Sequence, residues 1–141
     1  MSWLWSAYFY TKPSPLTLNF VTLLTTYVMF KKSVRLSQSE FMTFLSAGKR
    51  YHSTFLTITF TPGPVIRAAV VVGKKVAKEA VDRNRIRRRL YATLRLALIG
   101  TSAPCPLGAY IIVAKPGTLK VPRLALKAEQ ITLLAQISKA R

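Results

Sequence analysis

One segment of the sequence, residues 74–95 (KKVAKEAVDRNRIRRRLYATLR), restricts the fold more than any other. It holds nine Lys or Arg residues and only two acidic residues, Glu79 and Asp82. At 100° per residue, its second half places a narrow apolar stripe on one side of a helix. The residues of this stripe are Ile86, Leu90, Leu94 and Ala97. Such a helix buries one side and keeps the other in water, so a core must lie beneath it.

The other side of the same predicted helix is basic. Its outward residues include Arg85, Arg88, Arg89 and Arg95. Arg presents a rigid fork of donors that suits phosphate oxygens. The whole chain carries 22 Lys plus Arg against 4 Asp plus Glu, a formal charge of +18 over 141 residues. This charge indicates a polyanionic partner, but it does not choose among nucleic acid, anionic membrane and acidic protein.

The residues needed for catalysis by the chain itself are scarce. Its four carboxylates, Glu40, Glu79, Asp82 and Glu129, are isolated in sequence, and no glycine-rich phosphate loop occurs. Clustered carboxylates are what a Mg²⁺-dependent nuclease site normally requires. With one Cys and one His, an internal disulfide is excluded and a metal cage is not expected. The sequence therefore favours binding over hydrolysis by the chain alone.

The beginning of the chain differs from the rest in composition. Lys12 is the only charged side chain in residues 1–30, and the apolar run of residues 16–30 is shorter than the roughly 20 residues that span a bilayer. No clear secretory signal is present. We predict that residues 1–28 are an appended segment, disordered or upstream of a true start at Met29, and that residues 29–141 form one domain. A signal anchor is the less favoured alternative.

Local patterns predict a helix and then two strands. Ser37 as N-cap with Glu40 three residues later is a capping box, and Gly48 ends the helix. Residues 55–60 (FLTITF) alternate with period two, as in a strand with one buried face. A Thr-Pro-Gly-Pro turn and a second strand, residues 65–73, follow. These two strands are predicted to form a hairpin.

The rest of the chain predicts helix, strand and helix. Asp82 or Asn84 is expected to cap the basic helix, which runs to about Ile99 and ends at Gly100. After a proline-containing loop, the apolar run AYIIVAKPG indicates a buried strand. Residues that signal the final helix are Pro122, Leu126, Ile131, Leu134 and Ile137. The order helix, strand, strand, helix, strand, helix predicts an α+β two-layer sandwich, with an extra short strand left open.

The run Gly73-KKVAKEAVDRNRIRRRL resembles the signature of the bacterial ribonuclease P protein subunit. In that family a lysine pair ends a strand, and an Arg-Asn-Arg-Ile block follows on a helix. The segment Tyr110–Lys115 (YIIVAK) is similar to the family's last strand, and residues 35–48 are similar to its opening helix. The resemblance covers residues 29–141. It implies an α+β fold, for which a left-handed β-α-β crossover around the basic helix is an alternative to the usual right-handed one.

The resemblance also implies a function. In the family the RNA subunit is the catalyst, and the cytoplasmic protein subunit helps it to remove the 5′ leader of precursor transfer RNA. Mg²⁺ is then bound mainly by the RNA partner. The residues expected to bind RNA are Lys74, Lys75, Arg83, Asn84, Arg85, Arg87, Arg88 and Arg89. The candidates for a cleft that holds the single-stranded leader are Phe41, Phe44, Phe55 and Thr57.

Two expectations about function remain open in the sequence. The sheet face that lines the leader cleft is not determined, so Phe55 and Thr57 depend on it. Leu45 stands where the family often has a second aromatic residue, which would weaken stacking on the leader. The alternatives to ribonuclease P are a general RNA-binding or ribosome-associated structural protein and, less favoured, a membrane-surface protein.

Overall fold

The computed structural model describes residues 32–99 and 105–140. The predicted appended segment and the predicted helix end at Gly100 lie outside these ranges. In chain order the elements are α1 (Gln38–Ala47), β1 (Lys49–His52), β2 (Leu56–Pro62), β3 (Arg67–Val71), α2 (Ala80–Ile99), β4 (Gly108–Ala114), a 3-10 turn (Thr118–Lys120) and α3 (Arg123–Lys139). The predicted α+β fold is confirmed, and β1 is an additional short strand.

The four strands form one sheet in the order β1-β2-β4-β3. β4 pairs antiparallel with β2 and parallel with β3. The predicted hairpin of β2 and β3 is therefore wrong, because β4 lies between them. The burial of β4 supplies the physical reason: six of its seven residues are buried, so it occupies the centre of the sheet rather than an edge.

β3, α2 and β4 form a β-α-β unit, since the two strands are parallel neighbours and α2 connects them. The hand of this crossover stays a prediction. Residues 34–36 extend the far edge of the sheet, where Leu36 N donates to Ala68 O and Ala68 N donates to Val34 O. Arg67 secures this segment by donating from Nη1 to Ser33 O at 2.7 Å.

α1 begins and ends at the predicted residues. Ser37 N donates to Glu40 Oε2 at 2.9 Å, and Glu40 N donates to Ser37 Oγ at 3.4 Å, which completes the capping box. Gly48 follows the helix with φ of −77°, so no left-handed conformation is required there. It is required by close approach, since a Cβ at this position would lie 2.4 Å from Thr59 Cγ2.

α2 packs its apolar stripe on the sheet as predicted. Ile86, Leu90 and Leu94 are buried, in one cluster with residues of β2, β3, β4 and α3. The helix begins at Ala80, however, which places Asp82 in its first turn and Asn84 inside it. The prediction that one of these two residues caps the helix is therefore wrong. The preceding turn is held by burial, with Val76 and Ala77 in the core.

α3 lies beside α2 on the same core. Of the residues that predicted it, Leu126, Leu134 and Ile137 are buried, but Ile131 is 46% exposed. Helical periodicity explains the exposure of Ile131. The buried face of α3 includes Gln130, and Ile131, as the next residue in the helix, points away from that face. Gln130 Nε2 donates to Leu90 O at 3.0 Å and so ties α3 directly to α2.

The two faces of the sheet carry different helices. Leu56, Ile58 and Phe60 of β2 point into the core beneath α2 and α3. Thr57, Thr59 and Thr61 alternate with them and face the other way. The hydroxyl of Thr61 donates to Phe44 O of α1 at 3.1 Å. α1 therefore packs on the threonine face, and the sheet separates it from α2.

Candidate nucleic-acid interface

A groove of about 530 Å³ runs along the outward side of α2 and reaches the start of α3. We call it the arginine groove. Its lining residues are Val81, Asn84, Arg85, Arg88, Arg89, Ala92 and Arg123. Four of the seven carry guanidinium groups, and none carries a carboxylate. The short side chains of Val81 and Ala92 leave room between these cations.

Acidic residues compensate little of this charge. Asp82 lies 3.6 Å from Arg85 Nη1, but the Arg85 side chain is 57% exposed, so the pair contributes little. Glu40 is engaged in the capping box of α1. Glu129 accepts hydrogen bonds from Ser53 Oγ and from Phe55 N, at the end of the sheet. The groove thus presents cations to solvent, as a surface for a polyanion would.

The predicted RNA-binding residues of α2 divide into two groups. Asn84, Arg85, Arg88 and Arg89 line the groove. Arg83 and Arg87 do not line it and are half-buried. Arg83 Nη1 donates to Ala77 O at 3.1 Å and to Lys78 O at 2.6 Å.

The position of Arg83 follows from helical geometry. Seven residues separate it from Leu90, so the two lie about 20° apart around the helix, at the border of the buried stripe. Its guanidinium is consequently held by the carbonyls of the turn that precedes α2. Arg87 Nη1 donates to the side-chain oxygen of Asn84 at 2.7 Å. These two arginines support the local structure beside the groove.

Lys74 and Lys75 lie in the turn between β3 and α2, and both are exposed. The edge strand β3 ends at Val71, so the two lysines lie shortly after it and not at its last residue, where they were predicted. Their ammonium groups can therefore reach a partner that also contacts the beginning of α2. Their role in binding stays a prediction.

The predicted leader-cleft residues fall in two places. Phe41 and Phe44 are half-buried on α1, and Thr57 lies on the threonine face of the sheet, which α1 covers in part. Phe55 precedes β2, and its contacts are with the other side of the molecule. Its amide donates to Glu129 Oε1 of α3 at 2.7 Å, and its ring lies near Gly117. The structure thus groups Phe41, Phe44 and Thr57 on one side of the sheet and does not bring Phe55 to them.

Arg123 is the groove residue that sequence reasoning missed. It belongs to α3, 24 residues after the end of α2 at Ile99, and only the packing of α3 on α2 brings it to Arg88 and Arg89. The only local signal is its place directly after Pro122 at a helix start, where a cation is unfavourable.

Within residues 32–99 and 105–140, no three His, Cys, Asp or Glu residues come close enough to hold a metal ion. Cys105 is a free thiol, and burial raises its pKa, which favours the protonated form. Burial likewise raises the pKa of Tyr110, whose hydroxyl donates to Pro106 O. Cys105 Sγ contacts Ala97 O of α2, and neither of these two groups lines the groove.

The fold and the groove together define a basic α+β domain with one surface suited to a polyanion. Residues 30–138 match the family model described as Ribonuclease P. The chain is 30% identical over 105 residues to the ribonuclease P protein component of Nitratiruptor sp., covering 74% of this chain and 92% of that protein. It is 32% identical over 111 residues to that of Xylella fastidiosa, covering 77% and 78%.

Solved structures agree with the fold. The Staphylococcus aureus RNase P protein superposes with a TM-score of 0.66 at 16% identity, over 74% of this chain and 95% of that one. The Thermotoga maritima RNase P protein gives 0.59 at 19% identity, over 73% and 96%. The chain belongs to the ribonuclease P protein family, the protein components of an endoribonuclease of transfer RNA 5′ processing. In the part of the chain that the structure describes, no helix is both long and apolar enough to cross a membrane.

Proposed function

We propose that this chain binds the ribonuclease P RNA through the arginine groove and the 5′ leader of precursor transfer RNA through the cleft beside α1. The observation that carries the proposal is the groove itself, with four guanidinium groups and no lining carboxylate. Guanidinium pairs with phosphate through two parallel hydrogen bonds, so a rigid set of them favours a nucleic-acid backbone.

The cleft offers a different chemistry. Phe41 and Phe44 supply aromatic surface on α1, and Thr57 supplies a hydroxyl on the sheet beside it. Unpaired bases stack on aromatic rings, whereas bases inside a duplex are not available for this. The cleft therefore suits a single-stranded segment such as the leader. Its location across the sheet from the groove lets the two RNA elements bind at the same time.

Mg²⁺ belongs to the RNA in this proposal. This assignment is supported by the described residues, among which no three His, Cys, Asp or Glu side chains lie close enough to hold a metal ion. By neutralising phosphates, the groove would lower the Mg²⁺ concentration that the folded RNA requires.

Reconstitution tests this function. Purified protein, added to the transcribed RNA subunit, should cleave precursor transfer RNA at a Mg²⁺ concentration at which the RNA alone is inactive. Mature transfer RNA should compete poorly with the precursor, because it lacks the leader. An absence of stimulation would contradict the proposal. Equal competition by the two transfer RNAs would point instead to a general RNA-binding protein.

A further inference from the structure

The arginine groove is built by two helices, although the sequence signature lies on only one of them. Arg85, Arg88 and Arg89 come from α2, and Arg123 comes from the first turn of α3. A second groove of about 270 Å³ continues between the two helices and shares Arg89, Ala92 and Arg123 with the first. The basic surface thus extends across the helix pair.

The position of Arg123 is fixed by the core. Leu126, Leu133, Leu134 and Ile137 of α3 are each at most 3% exposed. Gln130 is fully buried and donates to Leu90 O of α2 at 3.0 Å. The backbone that carries Arg123 therefore cannot shift relative to α2 without breaking this packing. The groove is present before any partner arrives.

Arg123 lies at a helix position where a positive charge is unfavourable. The amino-terminal end of a helix carries a partial positive charge, so a cation there is unfavourable and an acid is favourable. The first turn of α3 contains Arg123 and no acidic residue, and no side chain caps it. A residue that breaks a local rule of stability is expected where function requires it. The exposure of neighbouring Leu124, at 78%, leaves this end of α3 accessible.

The lining of the groove indicates which kind of RNA it takes. None of the lining residues is aromatic, so the groove has no ring on which an unpaired base could stack. Its cations can engage phosphates, which a folded RNA displays on its surface. We propose that Arg123 is a further RNA-binding residue and that the groove between α2 and α3 holds the backbone of the folded RNA subunit, not the leader. This inference rests on the proposed function.

The test compares Arg123→Gln with Lys139→Gln in the full chain. Lys139 is exposed at the other end of α3, about 24 Å away, and its replacement removes the same charge. Affinity for the transcribed RNA subunit is measured at several salt concentrations. Arg123→Gln should weaken binding by about tenfold and reduce the salt slope by about 0.9, as expected for one lost phosphate contact. Lys139→Gln should change binding less than twofold, at the level of a rim charge.

A second variant separates binding from folding. Arg123→Glu should weaken binding further, yet its melting temperature should equal or exceed that of the wild type, because an acid suits this end of the helix. Affinity for a single-stranded leader oligonucleotide should be unchanged in both Arg123 variants. Equal salt slopes for Arg123→Gln and Lys139→Gln, or a loss confined to the leader oligonucleotide, would overturn this inference. Failure of the wild-type protein to bind the RNA subunit would instead overturn the proposed function.

Discussion

The two candidate surfaces of this protein differ in what defines them. The proposed leader site beside α1 depends on close packing, since a Cβ at Gly48 would lie only 2.4 Å from Thr59 Cγ2 and 2.7 Å from Thr61 Oγ1. The arginine groove is defined by charge, with open space between its guanidinium groups. The sheet lies between them, and each surface is attached to a different face. A change can therefore damage one surface and spare the other.

The largest expected effect on binding comes from substitutions in the arginine groove. Replacing Arg85 and Arg88 by Ala should weaken binding of the RNA subunit by about 100-fold, since two charge-assisted contacts are each worth about 1.5 kcal/mol. The salt slope should fall by about 1.8. Binding measured with and without the leader should be weakened equally. The control is the double variant Lys49→Ala, Lys139→Ala, which removes equal charge outside the groove. If it loses as much affinity for the RNA subunit, the effect is one of net charge and not of the groove.

A smaller effect is expected from the close packing beside α1. In Gly48→Ala the new Cβ would lie 2.4 Å from Thr59 Cγ2 and 2.7 Å from Thr61 Oγ1, so these side chains or α1 must shift. Overpacking of this kind should cost about 2 kcal/mol in urea unfolding. It should also reduce the preference for substrates with a leader while affinity for the RNA subunit stays. Gly73→Ala is the control, because nothing lies within 4 Å of its added Cβ. Equal effects from both glycine variants would show that the two surfaces are not independent.

Substitution of Arg83 tests whether this residue stabilises the fold beside the groove or only faces the RNA. Because its guanidinium donates to Ala77 O and Lys78 O, Arg83→Ala should lower the free energy of unfolding by about 1 kcal/mol. Arg88→Ala, which loses no such contact, should leave it unchanged. Urea denaturation measures both. Equal stability of the two variants would place Arg83 among the purely RNA-facing residues.

The smallest effect concerns pH. The amide of Ser37, then its hydroxyl and the charge of Arg67, lower the pKa of Glu40 below its ordinary value of 4.5. A carboxylate with a depressed pKa stabilises the fold above its unfolded-state pKa, and this contribution is lost as the pH falls through the folded-state pKa. Glu40→Gln keeps an acceptor for Ser37 but cannot titrate. Its stability should fall less than that of the wild type as the pH drops below 4.5, the ordinary pKa of the group; parallel acid curves would contradict this.

The features of the fold that could be predicted from the sequence are those that depend on residues close together in the chain. The capping box of α1, the buried stripe of α2 and the buried strand β4 each depend on residues near in the chain, and each is present. The strand order was not predictable in the same way. Two alternating strands joined by a turn resemble a hairpin, and only the apolar surface of β4, some fifty residues later, decides that they are separated.

In the candidate site, too, the residues that follow from local sequence pattern were predictable and the residue that depends on tertiary packing was not. Arg85, Arg88 and Arg89 lie on the outward side of a helix whose stripe can be read from sequence. Arg123 reaches the groove only through the packing of α3, which no spacing in the sequence reveals. The half-burial of Arg83 was predictable from the sequence, since Arg83 lies beside Leu90 on the helical wheel.

The insertion of β4 between β2 and β3 has a consequence for biosynthesis. Until Ala114 has left the ribosome, β2 has only β1 as a neighbouring strand, and β3 has only the short segment of residues 34–36 beside it. At about 5 to 20 residues per second, the 52 residues from Pro62 to Ala114 take about 3 to 10 s to synthesise. During that interval the nascent chain exposes unpaired strand edges together with a strongly basic segment. We therefore expect this domain to fold late in translation, and its non-local pairing to be the slow step.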